Sequence, residues 1–415
     1  MTGLLAGTRV LDLTDGGSMI CGKMFGDLGA DVIKVEMPGG SPSRKCGPHL
    51  REGSWGDNAG LLWHAYNVNK RSITLNLESE GGQSLFKRLV GKTDIILESF
   101  EPGYLERLGL GYKAISVINP RIVLTSITPF GQTGSFAHFK GSELVCWSMG
   151  GGTYVTGDPD RPPVWISFPQ AALHAGVEAV VASLIAHLYR EATGEGQHVD
   201  VSIQQCVIWV LMYNVQYWDL NRVNISRSGS RWVMPNARLS MVYPCKDGYI
   251  YCHIQGGYSA FVTSNQELVS WMDECGMAPE WLKQFDWFNG YEPTKITQEL
   301  VDSVEAPFLD FFATKTKGEL YERAVKRGIL LAPVNTPADI VTNRQLAARD
   351  FWVPKYHPEL GKEIIYPSPG VRIDGLPYQI RYAPPTIGQH NMEVYVEEMG
   401  LSLGKLETLK EAGII

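Results

Sequence analysis

The sequence predicts an α/β protein in which a doubly wound parallel sheet forms a large domain and a smaller α+β domain follows in mid-chain. Three observations carry this expectation. Short β-rich runs alternate with helix-period segments from Arg9 to Ser126, the pattern of strands joined by crossover helices. A polar stretch, NRVNISRSGSR at residues 221–231, then reads as a linker. The chain has 415 residues, 44% of them hydrophobic and 20% charged, enough for two cores.

Taken in order, Arg9–Leu13 reads as the first strand, Met19–Leu28 as a helix and Val32–Val35 as the second strand. Ser72–Leu77 alternates polar and apolar residues and makes a third. Gly82–Val90 has helical spacing, and Asp94–Leu97 and Arg121–Ser126 complete the strand set. Gly150–Pro163, GGGTYVTGDPDRPP, is a loop, and apolar residues then recur at three- and four-residue spacing from Gln170 to Arg190, with Gly194 closing that helix. Past the linker, Ser240–His253 reads as a hairpin around Asp247-Gly248, and residues 260–330 as helical. The predicted division is a large domain at 1–220, the linker, a small domain at 232–330, and a segment at 331–415 that returns to the large domain because it lacks a core of its own. Within that segment, Lys355–Tyr356 and Ile364–Tyr366 look like strands and Asn391–Met399 like a helix.

A net charge of −7 with no basic stripe argues against nucleic acid as a partner. Seven cysteines, Cys21, Cys46, Cys146, Cys206, Cys245, Cys252 and Cys275, contain no C-x-x-C pair; their spacing fits no zinc site and suits core packing in a reducing compartment. No basic region and apolar run open the chain as in a signal peptide, and the apolar stretch Val177–Leu188 carries Glu178, Ser183 and His187 and is short for a bilayer. A soluble, cytoplasmic protein with no membrane partner is the expectation.

Several segments carry chemistry. Thr14–Ser18, TDGGS, is a glycine-rich turn entering a helix, where unpaired N–H groups and the helix dipole attract an anion; a plain tight turn fits the same residues. Lys70 and Arg71 stand side by side ahead of the third strand, suited to phosphates or simply to solvent. Gln255–Tyr258, QGGY, follows a strand, and its glycines allow either a mobile lid or an ordinary turn.

Together with Ser167–Gln205, whose Arg190, Thr193, Gly194, Gly196 and Gln197 form R-x-x-T-G-x-G-Q, these segments resemble the class III CoA-transferases, the family of formyl-CoA transferase, carnitine CoA-transferase and α-methylacyl-CoA racemase. RVLDL at Arg9–Leu13, GADVIKVE at Gly29–Glu36 and NKRS at Asn69–Ser72 extend the likeness over nearly the whole chain. The resemblance implies coenzyme A or an acyl-CoA as substrate, no metal, and an interlocked dimer in which the large domain of one chain meets the small domain of its partner. It places Gly17 and Ser18 beside the thioester, Lys70, Arg71 and Lys140 on CoA, Phe100 and Arg107 at the adenine nucleotide, and Gly256 and Gly257 in a lid over the acyl group.

The same resemblance implies an aspartate at position 172 that attacks the thioester, and Ala172 stands there instead. Glu178, six residues on, falls on another helix face; His174 is a ring base; Glu143, Asp158 and Asp160 are carboxylates that no spacing selects. Three readings follow. The chain is a subunit whose aspartate-bearing homologous partner does the chemistry, moving CoA from a donor such as succinyl-CoA to a carboxylic acid such as (R)-benzylsuccinate; or it is a homodimeric CoA-binding protein without transfer activity; or it is an enzyme using another carboxylate. Trp147, Trp165 and Tyr154 either wall an acyl pocket or fill a core.

Overall fold

Alternate residues of a strand point to opposite faces of its sheet, so a strand apolar throughout must be covered on both sides. RVLDL and DVIKVE carry adjacent apolar residues, Val10 with Leu11 and Val32 with Ile33, and so place an apolar side chain on each face. In the computed structural model, which describes residues 3–49, 60–357, 361–376 and 378–415, six strands form one sheet: β1 (Arg9–Leu13), β2 (Asp31–Glu36), β3 (Lys70–Thr74), β4 (Ile95–Glu98), β5 (Val123–Thr128) and β6 (His198–Ser202). Their order is β3-β2-β1-β4-β5-β6, with every neighbour parallel. This is the order of the doubly wound dinucleotide-binding sheet.

Helices cover both faces. Leu11, Ile33, Ile73 and Ile96 pack with Phe86, Leu89 and the C-terminal Tyr395 on one side. Val10, Val32, Ile95 and Val123 pack with Phe25, Ala175 and Ala179 on the other. The covering helices include α1 (Ile20–Asp27), α2 (Leu61–Tyr66), α3 (Glu80–Val90), α4 (Tyr104–Arg107), α5 (Tyr112–Ile118), α6 (Glu143–Met149) and the 23-residue α7 (Ala171–Thr193). Gly194 ends α7 in the left-handed conformation, φ 82°, its N–H returning to Arg190 O. Arg190 is buried and donates to the Asp94 carboxylate at 2.6 Å, tying the end of α7 to the start of β4. α8 (Ile203–Val210) and α9 (Met212–Asn221) follow β6.

Two compact units divide the chain: residues 1–153, 165–224 and 345–415, and residues 154–164 and 225–344. The glycine- and proline-rich loop enters the second unit because Gly229 N–H donates to Gly157 O and the Arg227 guanidinium to the carbonyls of Asp158 and Arg161. That unit holds a short hairpin, β7 (Arg231–Val233) with β8 (Arg238–Ser240), and a three-stranded sheet of β9 (Val242–Cys245), β10 (Gly248–Cys252) and β11 (Leu331–Pro333). Helices that include α10 (Ser259–Glu274) enclose a core of Tyr243, Ile250, Trp271, Phe308 and Phe312.

The observed elements correct several expectations. β3 begins at Lys70, not Ser72, and its chain leaves the sheet after Thr74. β6 had no counterpart among the expected strands, because HVDVS is exposed over its first half and lacks the apolar run of a central strand. The helix expected at Asn391–Met399 is a π-helical segment, Met392–Glu398. All seven cysteines are free; Cys46 and Cys275 are exposed, not core residues. By length and composition alone α7 is long and apolar enough to cross a bilayer, yet Ala175, Ala179 and Ala186 pack it on the sheet.

Candidate active site

The sheet order reverses between β2 and β4, on either side of β1, and open α/β sheets bind ligands outside the strand C-termini at such a point. The turn after β1 is built to hold its shape there. Thr14 N–H and its hydroxyl donate to Asp12 Oδ1 at 2.9 and 2.6 Å, and the Thr14 carbonyl accepts from the Lys34 ammonium. Asp15 N–H donates to Ser99 Oγ and Gly16 N–H to Ser43 Oγ, at 2.9 and 2.8 Å.

Beneath the turn, Asp12 lies fully buried between Lys34 and Lys70. Burial alone would raise the Asp12 carboxyl, but the two ammonium groups outweigh it and hold the group below its ordinary range. Lys70 donates to Asp12 Oδ2, Met19 O and Asn67 Oδ1 at 2.7, 2.8 and 2.9 Å, which uses all three of its protons. Burial brings Lys70 down to about 8, with Asp12 pulling the other way. Arg71 donates to Asp31, Glu393 and Glu398. Both cations expected on phosphates are therefore consumed inside the fold. The physical reason is the earlier start of β3, which places them inside the edge strand, paired with Val32 and Ile33 of β2.

Beside the turn opens a cavity of about 260 Å³ lined by Thr14, Asp15, Lys34, Met37, Phe100 and Tyr104, among others. Its loop wall is set by Glu36, which receives two bonds of 2.7 Å from Arg44 and one of 2.9 Å from Ser41 N–H, while the Arg44 guanidinium lies 3.7 Å from the Trp63 ring. Phe100 packs on Tyr104 at 4.5 Å, and exposed Arg107 stands 5.2 Å from the Tyr104 ring. Lys140 is exposed ahead of α6. Ser18 is buried in the short 3-10 turn leading to α1.

The other flank of the turn meets Ala172. A Cβ on Gly17 would come within 2.8 Å of the Ala172 Cβ, so the approach requires glycine. Ala172 is in the first turn of α7, where the N–H groups are unpaired within the helix. Glu143 takes them: Oε1 accepts from Gln170 and Ala171 N–H at 2.6 and 2.7 Å, and Oε2 from Ala172 N–H at 3.1 Å. Of the carboxylates considered from the sequence, Glu143 is thus the one placed at position 172. Its charge suits the positive end of a 23-residue helix. Asp158 and Asp160 belong to the second unit.

The aromatic candidates separate. Trp147 is buried in a small core with Ala171 and Val207, its ring 6.4 Å from His174, whereas Trp165 and, in the second unit, Tyr154 are exposed. The Gln255–Tyr258 segment forms a packed turn in the second unit. Gly256 is buried against the carbonyl oxygens of Trp287 and Tyr291, and Gly257, at φ 79°, donates its N–H to Trp287 O at 3.2 Å. Close backbone approach, rather than freedom to move, accounts for these two glycines.

Glu98, at the end of β4, was missed from sequence; an acidic residue closing an apolar strand was the available signal. Its carboxylate accepts from Phe100 N–H at 2.6 Å and is bonded by Ser126, whose hydroxyl lies 2.9 Å from His198 Nε2. Burial pushes Glu98 up to about 7, against those hydrogen bonds. From the ordinary 4.5 up to about 7 the folded chain therefore holds a proton that the unfolded chain has released, and stability falls as pH rises through that window. Glu98→Gln is expected to be more stable than wild type at pH 8, by up to about 3 kcal/mol, with the difference fading toward pH about 4.5. Urea melts across this range check it, and an advantage that does not vary with pH would refute it.

The sheet order defines a doubly wound α/β protein with a candidate ligand cavity at its switch point, at the mouth of β1. The CoA-transferase family III profile matches residues 5–391, and the chain belongs to that family, whose enzymes act on CoA thioesters. It is 34% identical to the Thauera aromatica succinyl-CoA:(R)-benzylsuccinate CoA-transferase subunit BbsE, over 98% of this chain and 97% of that one. It is 30% identical to the Chloroflexus aurantiacus succinyl-CoA–L-malate CoA-transferase beta subunit, over 99% and 98%. A CAIB/BAIF family protein from Brucella suis has the same fold, with a TM-score of 0.83 at 26% identity over 96% of this chain and all of that one.

Proposed function

We propose that the chain is one subunit of a heteromeric CoA-transferase that moves CoA from succinyl-CoA to a dicarboxylic acid, benzylsuccinate being the favoured acceptor, with the attacking carboxylate on a homologous partner. The observation that carries this reading is Ala172. The reaction needs a carboxylate oxygen to attack the thioester carbonyl and expel the CoA thiolate, giving a mixed anhydride. The thiolate then attacks the enzyme's carbonyl, freeing the donor acid and leaving an enzyme–CoA thioester. Ala172 has no oxygen for the first step, and Glu143 holds both of its oxygens on backbone amides.

Two further observations support a partner. α9 has no buried residue yet carries Tyr213, Tyr217, Trp218 and Leu220 exposed, and α7 shows Val177, Val181, Ile185 and Leu188 in one stripe. The two relatives named above are both called subunits, and both names give succinyl-CoA as donor and a dicarboxylic acid as acceptor. In this proposal Phe100 and Tyr104 take the adenine, Arg107 and Lys140 the phosphates, and the Gly17–Ser18 turn the thioester end, in a soluble, cytoplasmic complex.

Purified alone, the chain is expected to transfer no CoA from succinyl-CoA to benzylsuccinate. Co-expression with an aspartate-bearing homologue is expected to restore transfer, with hydroxylamine converting the partner's activated carboxylate into a hydroxamate. Steady transfer by the isolated chain, lost in Glu143→Gln, would replace this reading with an enzyme that uses Glu143.

A further inference from the structure

The second unit carries an ordered aromatic wall that the proposed chemistry does not use. His253, just after β10, has both ring nitrogens engaged, Nδ1 with Tyr251 OH at 3.1 Å and Nε2 with Gln255 Oε1 at 2.8 Å. Gln255 is itself buried, and its backbone carbonyl accepts from the Asn265 side-chain amide at 2.8 Å. The fixed imidazole stacks on Phe261 with centroids 4.4 Å apart and planes 22° apart; Trp232 stands 6.0 Å from His253, and Tyr258 meets Phe261 edge-on at 6.1 Å. Despite this organisation Trp232 is 51% exposed and Tyr258 62%.

A wall whose imidazole nitrogens are both engaged internally presents ring faces and edges to whatever approaches it. Such surfaces prefer a flat π-system, in stacked or edge-on contact, over a branched aliphatic group of similar area. Arg231 and Arg238, on the hairpin that carries Trp232, are exposed and make no side-chain ion pair among the described residues. That charge favours an aryl group borne on an acid. The wall runs directly into the Gly256–Gly257 turn, whose tight packing holds it rigid.

We propose that this wall binds the aryl group of the acid substrate, so that the complex selects arylalkyl dicarboxylates over aliphatic ones. The inference rests on the transferase reading above, and its test is separable from it. The full chain, with ¹⁵N-labelled tryptophan, is titrated with 2-benzylsuccinate and with 2-methylsuccinate, and the Trp232 indole N–H signal is identified by its loss in Trp232→Phe. It is expected to shift with benzylsuccinate and not with methylsuccinate. In the co-expressed complex, Trp232→Ala is expected to raise the KM for benzylsuccinate by about tenfold, leaving the KM for succinyl-CoA unchanged, and Trp232→Phe to recover most of the loss. No shift, or an equal response to both acids, overturns the aryl site even if transfer is observed. A benzylsuccinate-specific shift in a protein that transfers CoA to no acid keeps the aryl site and sinks the transferase reading.

Discussion

Ala172→Asp is expected to turn this chain into one that forms an acyl-enzyme. Incubated with succinyl-CoA and hydroxylamine, wild type should gain no label, whereas in the variant hydroxylamine attacks the activated carbonyl of residue 172, expelling succinate from the anhydride or CoA from the thioester, and leaves about one hydroxamate per chain on that residue. The scaffold favours such a group. Position 172 lies in the first turn of a 23-residue helix, where the dipole stabilises a carboxylate. Ala172 is only partly buried. The obstacle is Glu143, whose Oε2 sits 3.1 Å from Ala172 N–H. Two carboxylates so close cannot ionise independently, and one of them must titrate higher. Labelling of Ala172→Asp should therefore rise at a higher pH than in the double variant Ala172→Asp/Glu143→Gln. Absence of label at 172, with CoA still bound by calorimetry, would mean that more than the nucleophile has been lost and would count against the paired-subunit reading.

The sequence made the alternation of strands and helices legible because a parallel sheet covered on both faces demands adjacent apolar residues, and Val10-Leu11, Val32-Ile33 and Val123-Leu124 supply them. It misplaced the start of β3 because Lys70 and Arg71 look like surface residues. They are tolerated buried on the edge strand only because Asp12, Asp31, Glu393 and Glu398 come from distant parts of the chain, and Asn67 from just ahead of the strand, to meet them. Periodicity contains no information on such pairs. The role of Glu143 was hidden for the same reason: 27 residues separate it from the nearest amide it caps. Of the residues singled out for CoA, Phe100 needed only its place after β4 to reach the switch-point cavity, which the order of elements already gave.

The second large effect concerns Asp12. Asp12→Ala is expected to destabilise the first unit by about 3–5 kcal/mol, the range for removing one partner from a buried ion group. Two lysine side chains would be left buried around a missing anion, and Thr14 would lose both of its bonds to Oδ1. The pH dependence is the discriminating part. Lys70 is already held down to about 8, against an ordinary 10.5, so the folded chain binds fewer protons than the unfolded chain between those values and gains stability as pH rises through them. Without Asp12 the Lys70 ammonium loses its main opposing attraction, its pKa drops further, and the window widens downward. The penalty of Asp12→Ala should thus be largest near pH 6 and shrink toward pH 10. Lys70→Met in the Asp12→Ala background should recover much of the loss, since it removes an uncompensated charge and keeps the volume. Urea melts of the four proteins in this cycle decide the matter. A penalty independent of pH, or no recovery in the double variant, would mean that packing and not charge balance holds the turn in place. Because Asp12 also shapes the turn through Thr14, the same variant is expected to weaken CoA binding even where the chain remains folded, a loss that calorimetry on the folded variant would register.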